Sequence, residues 1–322
     1  MAARIGLVLG AGGVVGHAFH AGVLSALAEA TGFDPRRAEL IVGTSAGSVV
    51  ASMLRAGVPA ADLAARATGQ PLSAEGAAIL GRARSSGLSW RDVPARRPLR
   101  LGLGAPALLG RAMARPWEAR PGMLAAALLP AGTVPTELVS GWLEPLFGDG
   151  WPDGLWVCAL SLTNGRRTVF GRPEAPRAGL VDAVAASCAI PGLFRPVEIG
   201  GIRYVDGGAH SPTNADLVAG LGLDLAVVVS PMSAARPLSG GFDLAGRRIA
   251  RLTLGREAAA VRRSGTPVLA FQPGVEERAV MGVNAMDPSR REAVVRQTRR
   301  STLARLRRSD LADRLGILAS AG

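Results

Sequence analysis

The stretches RIGLVLGAGGVVG, residues 4–16, and ELIVGTSAG, residues 39–47, decide the fold. Residues 4–9 form a short apolar run ending at glycine, the pattern of a buried strand. Residues 10–16 (GAGGVVG) read as a loop. Residues 17–30 are rich in Ala and Leu and read as a helix, with Phe19, Val23, Leu24 and Leu27 along one side. A second apolar run, residues 39–42, enters Gly43-Thr44-Ser45-Ala46-Gly47, and small residues continue as a helix over 48–55. Strand, helix, strand and helix in so short a stretch predict a parallel sheet covered on both faces.

Working outward, further strands are expected at 155–162, 202–205, 225–230 and 267–271, a short helix at 182–187, and a basic helix at 289–315. Between about residues 70 and 150 the pattern degrades into interleaved Gly, Pro and Arg with Trp90, Trp117 and Trp142, which reads as an insertion or cap. No repeat or low-complexity tract interrupts the rest. The expected fold is a three-layer α/β/α sandwich with a mostly parallel central sheet. Residues 4–230 would form its main part, with the cap at 70–150 inside it, and residues 231–322 would complete the same domain.

Composition narrows the chemistry. The chain has 322 residues and is 48% hydrophobic, too apolar for disorder. All 37 basic residues are arginine, which excludes a P-loop lysine, a Schiff-base lysine and a Ser–Lys dyad. Two cysteines, Cys158 and Cys188, cannot build a disulfide scaffold and favour a reducing compartment. Three histidines, His17, His20 and His210, leave little room for a His-rich metal site. The net charge of +12 resides in two segments, 82–120 and 287–314, and the remaining chain is balanced at 19 Arg and 19 acids. Such localised charge attracts anionic partners or is a solvated face in an arginine-rich composition.

No apolar stretch reaches the roughly 18 residues a membrane span requires. Arg4, the apolar run 5–15 and Ala26-Leu27-Ala28 imitate a signal peptide, but a glycine loop, His17 and His20 interrupt it. The stretch therefore reads as part of the mature domain, and the protein as cytoplasmic.

Three motifs carry the candidate chemistry. The loop Gly10-Ala11-Gly12-Gly13-Val14-Val15-Gly16 opens a helix and offers consecutive backbone N–H groups to negative charge. A dinucleotide site, an oxyanion hole and a plain tight turn all fit that loop. The dinucleotide reading wants an acid near the end of the second strand, whereas Glu39 lies at its start. Gly43-Thr44-Ser45-Ala46-Gly47 is G-x-S-x-G between a strand and a helix, the arrangement that exposes a nucleophilic serine on a sharp turn. Asp206-Gly207-Gly208 follows a strand. It reads as a turn signal, or as a carboxylate at a strand end acting as base without a histidine. His17 and His20 read as helix-packing residues.

Together, residues 9–27 (LGAGGVVGHAFHAGVLSAL), 43–47 (GTSAG) and 187–214 (SCAIPGLFRPVEIGGIRYVDGGAHSPTN) resemble the patatin-like phospholipase family in order and spacing. The resemblance covers roughly residues 4–230 and hardly touches 70–150. It implies a Ser–Asp dyad that hydrolyses acyl esters of lipids. Ser45 matches the nucleophile and Asp206 the general base. Gly12, Gly13 and Val14 match the oxyanion-hole amides, and Gly43, Gly47, Gly207 and Gly208 the surrounding motifs. His20 matches a family histidine that is not catalytic. Two positions depart from the pattern: Ala11 fills a glycine slot, and Val15 stands where the family carries Arg or Lys.

The resulting expectation is a serine acyl hydrolase acting on carboxylic esters of lipids, with no metal and no cofactor. Its partners would be a lipid or acyl-ester substrate and, peripherally, an anionic membrane facing the cap through Trp90, Trp117 and its arginines; nucleic acid is not expected. The alternative is a catalytically weakened or non-hydrolytic nucleotide- or lipid-binding protein using the glycine loop.

Overall fold

The computed structural model describes residues 2–83, 104–115, 117, 120–236 and 244–322. They divide into two compact units, residues 1–80 with 212–322, and residues 81–211. The fold class is the expected mixed α/β one, with helices around sheet.

The first unit opens with strand β1 (Ile5–Leu9), helix α1 (Gly13–Thr31), strand β2 (Leu40–Thr44) and helix α2 (Ala46–Arg55), then helices α3 (Ala60–Thr68) and α4 (Ala74–Arg82). The second unit contains α5 (Pro106–Ala114), α6 (Pro121–Leu128), and the one-turn helices α7 (Glu137–Ser140) and α8 (Glu144–Phe147). Then come β3 (Leu155–Ser161), β4 (Arg167–Phe170), α9 (Leu180–Ser187), β5 (Val197–Ile199) and β6 (Ile202–Asp206). The chain returns to the first unit with β7 (Leu225–Val229), α10 (Leu244–Arg263), β8 (Val268–Phe271), α11 (Val275–Met281), α12 (Arg291–Leu306) and α13 (Ala312–Ala319). Trp90 lies outside the described residues.

In the first unit every strand pairing is parallel, in the order β2-β1-β7-β8. The strands are apolar without alternation because helices cover both faces. Leu9 pairs with Gly43 and Val229, and Val229 with Phe271, so the carboxyl ends of all four strands align. Ligands of open α/β sheets bind outside such ends. α1 packs against α2, α3 and α12, and residues 18–27 of its apolar surface are buried on all sides. In the second unit β3 pairs antiparallel with β4 and β6, and β5 with β6. A second core there joins α5 and α6 through Leu108, Met123 and Ala127 to Leu160 of β3 and Val205 of β6.

Three differences from the sequence reading have physical causes. α1 starts at Gly13 rather than at residue 17, because Val15 and Gly16 are buried and recruit the glycines into the first turn despite their low helix propensity. The basic helix expected at 289–315 breaks after Leu306. Ser309 and Asp310 take a turn there, with Arg308 Nε donating to Asp310 Oδ1 at 2.9 Å. α10 was not expected, since its six arginines obscure a buried stripe at Ala250, Leu254, Ala258 and Val261.

Candidate active site

Ser45 alone makes the turn between β2 and α2, with φ 53° and ψ −121°. Among the described residues, Ser45 and Asn214 are the non-glycine residues with positive φ. A serine held there costs on the order of 1–3 kcal/mol and persists only where its surroundings fix it. They do. The Ser45 carbonyl accepts from the amide of Ser48 at 2.8 Å and from its hydroxyl at 2.7 Å. One residue earlier, the Asn214 side chain donates to Thr44 Oγ1 at 3.0 Å. Ser45 is 4% exposed and sits at the N-terminus of α2, whose dipole favours negative charge.

The flanking glycines are steric requirements. A Cβ on Gly43 would stand 2.5 Å from Ser48 Cα, and one on Gly47 would run into the Leu9 carbonyl and stand 2.9 Å from that of Gly10. The second figure also shows that the elbow presses directly on the end of β1, where the glycine loop begins.

That loop is held by its own amides. Gly10 N donates to Val229 O at 2.9 Å, Ala11 N to Pro212 O at 2.7 Å, Val15 N to Ala285 O at 3.0 Å, and Gly16 N to Gly12 O at 2.8 Å. Among the described residues no acceptor takes the amides of Gly12, Gly13 and Val14. These are the orphan donors of a helix start. Gly13 adopts φ 61°, and a Cβ on Gly12 would stand 2.9 Å from that of Pro231. Val15, in the slot that carries a basic residue in the family pattern, is buried, and its amide is the one bound to Ala285. A backbone anchor thus holds the loop there.

His20 is fully buried on α1, and its Nε2 lies 2.7 Å from the Gly10 carbonyl. Burial pushes it down to about 4, opposed by that hydrogen bond. It is neutral at pH 7 and helps fix the carbonyl at the loop's first residue. His17 is shifted in the same direction by burial and by the nearby His20, Arg66 and Arg291. Among the described residues no group of three His, Cys, Asp or Glu side chains is placed to hold a metal ion.

Asp206 belongs to the second unit. It ends β6 opposite Ala159 of β3, is 6% exposed, and its Oδ1 accepts the Gly208 amide at 2.7 Å. That bond caps the tight turn at Gly207–Ala209. Gly207 packs on the Cys158 carbonyl, leaving no room for a side chain, and Ser187 Oγ donates to the same carbonyl at 2.7 Å. His210 follows the turn, and its carbonyl accepts from Arg120 at 3.2 Å.

The structure therefore gathers Gly12, Gly13, Val14, Gly43, Ser45 and Gly47 at one edge of the first unit's sheet. It sets Asp206, Gly207 and Gly208 on a strand-end turn of the second unit. Sequence reasoning missed Asn214, Pro212, Val229 and Ala285, which fix the elbow and the loop. Only Asn214 carried a signal, since asparagine tolerates positive φ; the other three act through backbone carbonyls, which any residue supplies.

Fold and site define the class: an α/β protein with a strand–turn–helix serine elbow beside a glycine loop of open amides. A family model described as patatin-like phospholipase matches residues 7–219, more than half of the chain, and the chain belongs to that family. No curated protein matches it. Among solved structures it is similar to VipD from Legionella pneumophila, at 13% identity and a TM-score of 0.44 over 94% of this chain. It is also similar to the type III effector protein ExoU, at 18% identity and a TM-score of 0.35 over 94% of this chain. The chain spans 66% and 53% of the length of those two chains.

Proposed function

We propose that the protein is a serine acyl hydrolase that cleaves carboxylic esters of lipids. The observation that carries this reading is the pair formed by a strained Ser45 at one helix start and three open amides at the next. Ser45 Oγ attacks the ester carbonyl carbon while its proton passes to the Asp206 carboxylate. The carbonyl oxygen becomes an oxyanion held by the amides of Gly12, Gly13 and Val14. The tetrahedral intermediate then collapses. The bond to the leaving oxygen breaks, and Asp206 returns the proton to the departing alcohol or lysolipid. Water attacks the acyl-Ser45 with Asp206 again as base, releasing the fatty acid and restoring Ser45.

Family membership supports a lipid substrate, as does the cap. Of the eight exposed large apolar side chains among the described residues, four lie at Met113, Trp117, Leu128 and Leu129. Trp117 is 78% exposed, so the cap presents apolar surface where a purely structural insertion would bury it. A nucleotide on the glycine loop is disfavoured. β2 ends in Val42-Gly43-Thr44 without a carboxylate, and Glu39 is paired with Arg4 at 2.6 Å at the opposite end.

The test is labelling with a fluorophosphonate probe and turnover of a short p-nitrophenyl ester. Wild type is expected to label and turn over, Ser45→Ala to do neither, and Asp206→Asn to lose about 10²–10⁴ in rate, all with unchanged circular dichroism. Undiminished hydrolysis by Ser45→Ala ends this reading. A shift in melting temperature with NAD, in a chain that takes no probe, supports the nucleotide alternative.

A further inference from the structure

Arginine is concentrated on α10, which has six of them against one acid, Glu257. The sequence count hides this, because α10 lies in the part of the chain that balances overall. Glu257 and Arg247 are both buried and used internally. Glu257 accepts the Ala215 amide at 2.9 Å, and Arg247 donates to the carbonyls of Pro231 at 2.8 Å and Ser233 at 3.1 Å. The other five, Arg248, Arg251, Arg256, Arg262 and Arg263, fall within an arc of about 140° around the helix at about 100° per residue, on the side away from the buried Ala250, Leu254 and Val261. None of them has a carboxylate partner among the described residues.

The segment that the sequence singles out, 287–314, behaves differently. Arg290 pairs with Asp287 at 3.1 Å and Arg308 with Asp310 at 2.9 Å, while Arg296 and Arg299 pair with Glu292 and Glu29. Arg305 donates to the Ala270 carbonyl at 2.6 Å and lies over the Phe271 ring. Much of the charge on α12 is spent within the molecule, whereas that on the α10 face is not.

That face is also apolar in part. Ile249 is 42% and Leu252 is 51% exposed, between the arginines. From Arg248 to Arg263 the stripe runs about 22 Å. Below it a groove of about 600 Å³ lies between α10 and β8, lined by Arg251, Arg256, Arg262 and Arg263. Unpaired guanidinium groups flanking exposed aliphatic side chains match a surface whose anionic heads lie above hydrocarbon. A nucleic-acid backbone offers the charge but nothing for Ile249 and Leu252.

We propose that the outward face of α10 docks on an anionic lipid surface. The proposal draws on the lipid reading above only in choosing lipid over another polyanion, and it does not require hydrolysis. Arg247 ties the start of α10 to Pro231, which packs on Gly12, so the docking helix is joined mechanically to the glycine loop.

The test is co-sedimentation of the full chain carrying Ser45→Ala, so that lipid cleavage cannot alter the vesicles. The vesicles are phosphatidylcholine alone, or phosphatidylcholine and phosphatidylglycerol in equal parts. Binding is expected only to the anionic vesicles, weakening with salt. Arg256→Gln with Arg263→Gln is expected to weaken it about 30-fold, at roughly fivefold per arginine. Leu252→Ser is expected to weaken it further. The paired control Arg296→Gln with Arg308→Gln is expected to change it less than twofold, and melting temperatures confirm that each variant is folded. Equal binding by the α10 variant, equal binding to neutral vesicles, or retention of duplex DNA with no vesicle binding overturns the proposal. Because Ser45 is absent throughout, these outcomes are independent of the fluorophosphonate result.

Discussion

Gly43→Ala tests whether the serine elbow is as tightly specified as its contacts imply. The added carbon would stand 2.5 Å from Ser48 Cα, 2.8 Å from Ser48 N and 2.9 Å from Gly47 O. Ordinary carbon contacts lie at about 3.5–4.0 Å, so the two bodies must separate by about 1 Å. One body is β2, paired along its length with β1, and cannot yield without breaking the sheet. The other is the first turn of α2, which carries Ser45, Ala46 and Gly47. The turn must therefore move, and Gly47 already presses on the Leu9 carbonyl, so it cannot simply slide along the loop. Overpacking of this kind costs about 1–3 kcal/mol. A misplacement of about 1 Å at a reacting group costs about 10²-fold in rate. Gly43→Ala is therefore expected to lower kcat/KM for a p-nitrophenyl ester by at least about 10²-fold, with a drop of several degrees in Tm. Gly316→Ala on α13, where a Cβ meets nothing within 4 Å, is the control. It is expected to raise stability by about 0.5–1 kcal/mol without touching the rate. Wild-type turnover and Tm in Gly43→Ala would refute the steric account of the elbow.

Gly13→Ala places a side chain at φ 61°, 2.7 Å from the Ala285 carbonyl, and so turns the open amides away from the elbow. Turnover is expected to fall about 10²–10³-fold with KM little changed, as for the loss of one oxyanion donor; a change confined to KM argues against an oxyanion role. His20 sets a pH dependence of stability. Its folded pKa of about 4 lies below the unfolded value, so between those values the unfolded chain takes up the proton and the folded chain does not. Stability is therefore full above roughly pH 6.5 and falls toward pH 4 by about 1.4 kcal/mol per pH unit. Urea midpoints at pH 7, 5.5 and 4.5 are expected to show at least that slope, since His17 is lowered in the same direction and adds to it, and His20→Gln to reduce it by about the His20 share; an unchanged slope refutes the assignment.

Much of the first unit was legible in the sequence because its signals are local. The apolar runs at β1, β2 and β7 lack alternation, as doubly covered strands must. The glycine spacing at Gly43 and Gly47 is set by contacts within a few residues of Ser45 and with the adjacent strand. β4 and β5, at four and three residues, are too short to carry a period, and the antiparallel pairing of the second unit depends on partners distant in sequence. Long-range geometry also decided what holds the glycine loop. The carbonyls of Pro212, Val229 and Ala285 reach it from more than 190 residues away and leave no trace in side-chain type.

Charge divides the same way. Composition fixed the total, all arginine, and marked two basic segments. It says nothing of which guanidinium groups find partners, since pairing depends on which carboxylate or carbonyl the fold brings within reach. Arg299 finds Glu29 on α1, and Arg305 finds a carbonyl of β8, whereas the five outward arginines of α10 find none among the described residues. The sequence determined the strand–helix order, the serine elbow and the family motifs, because these rest on short-range sterics and periodicity. The tertiary structure decided which amides stay open beside Ser45 and which charges stay unspent, because both are set by contacts between segments that only folding brings together.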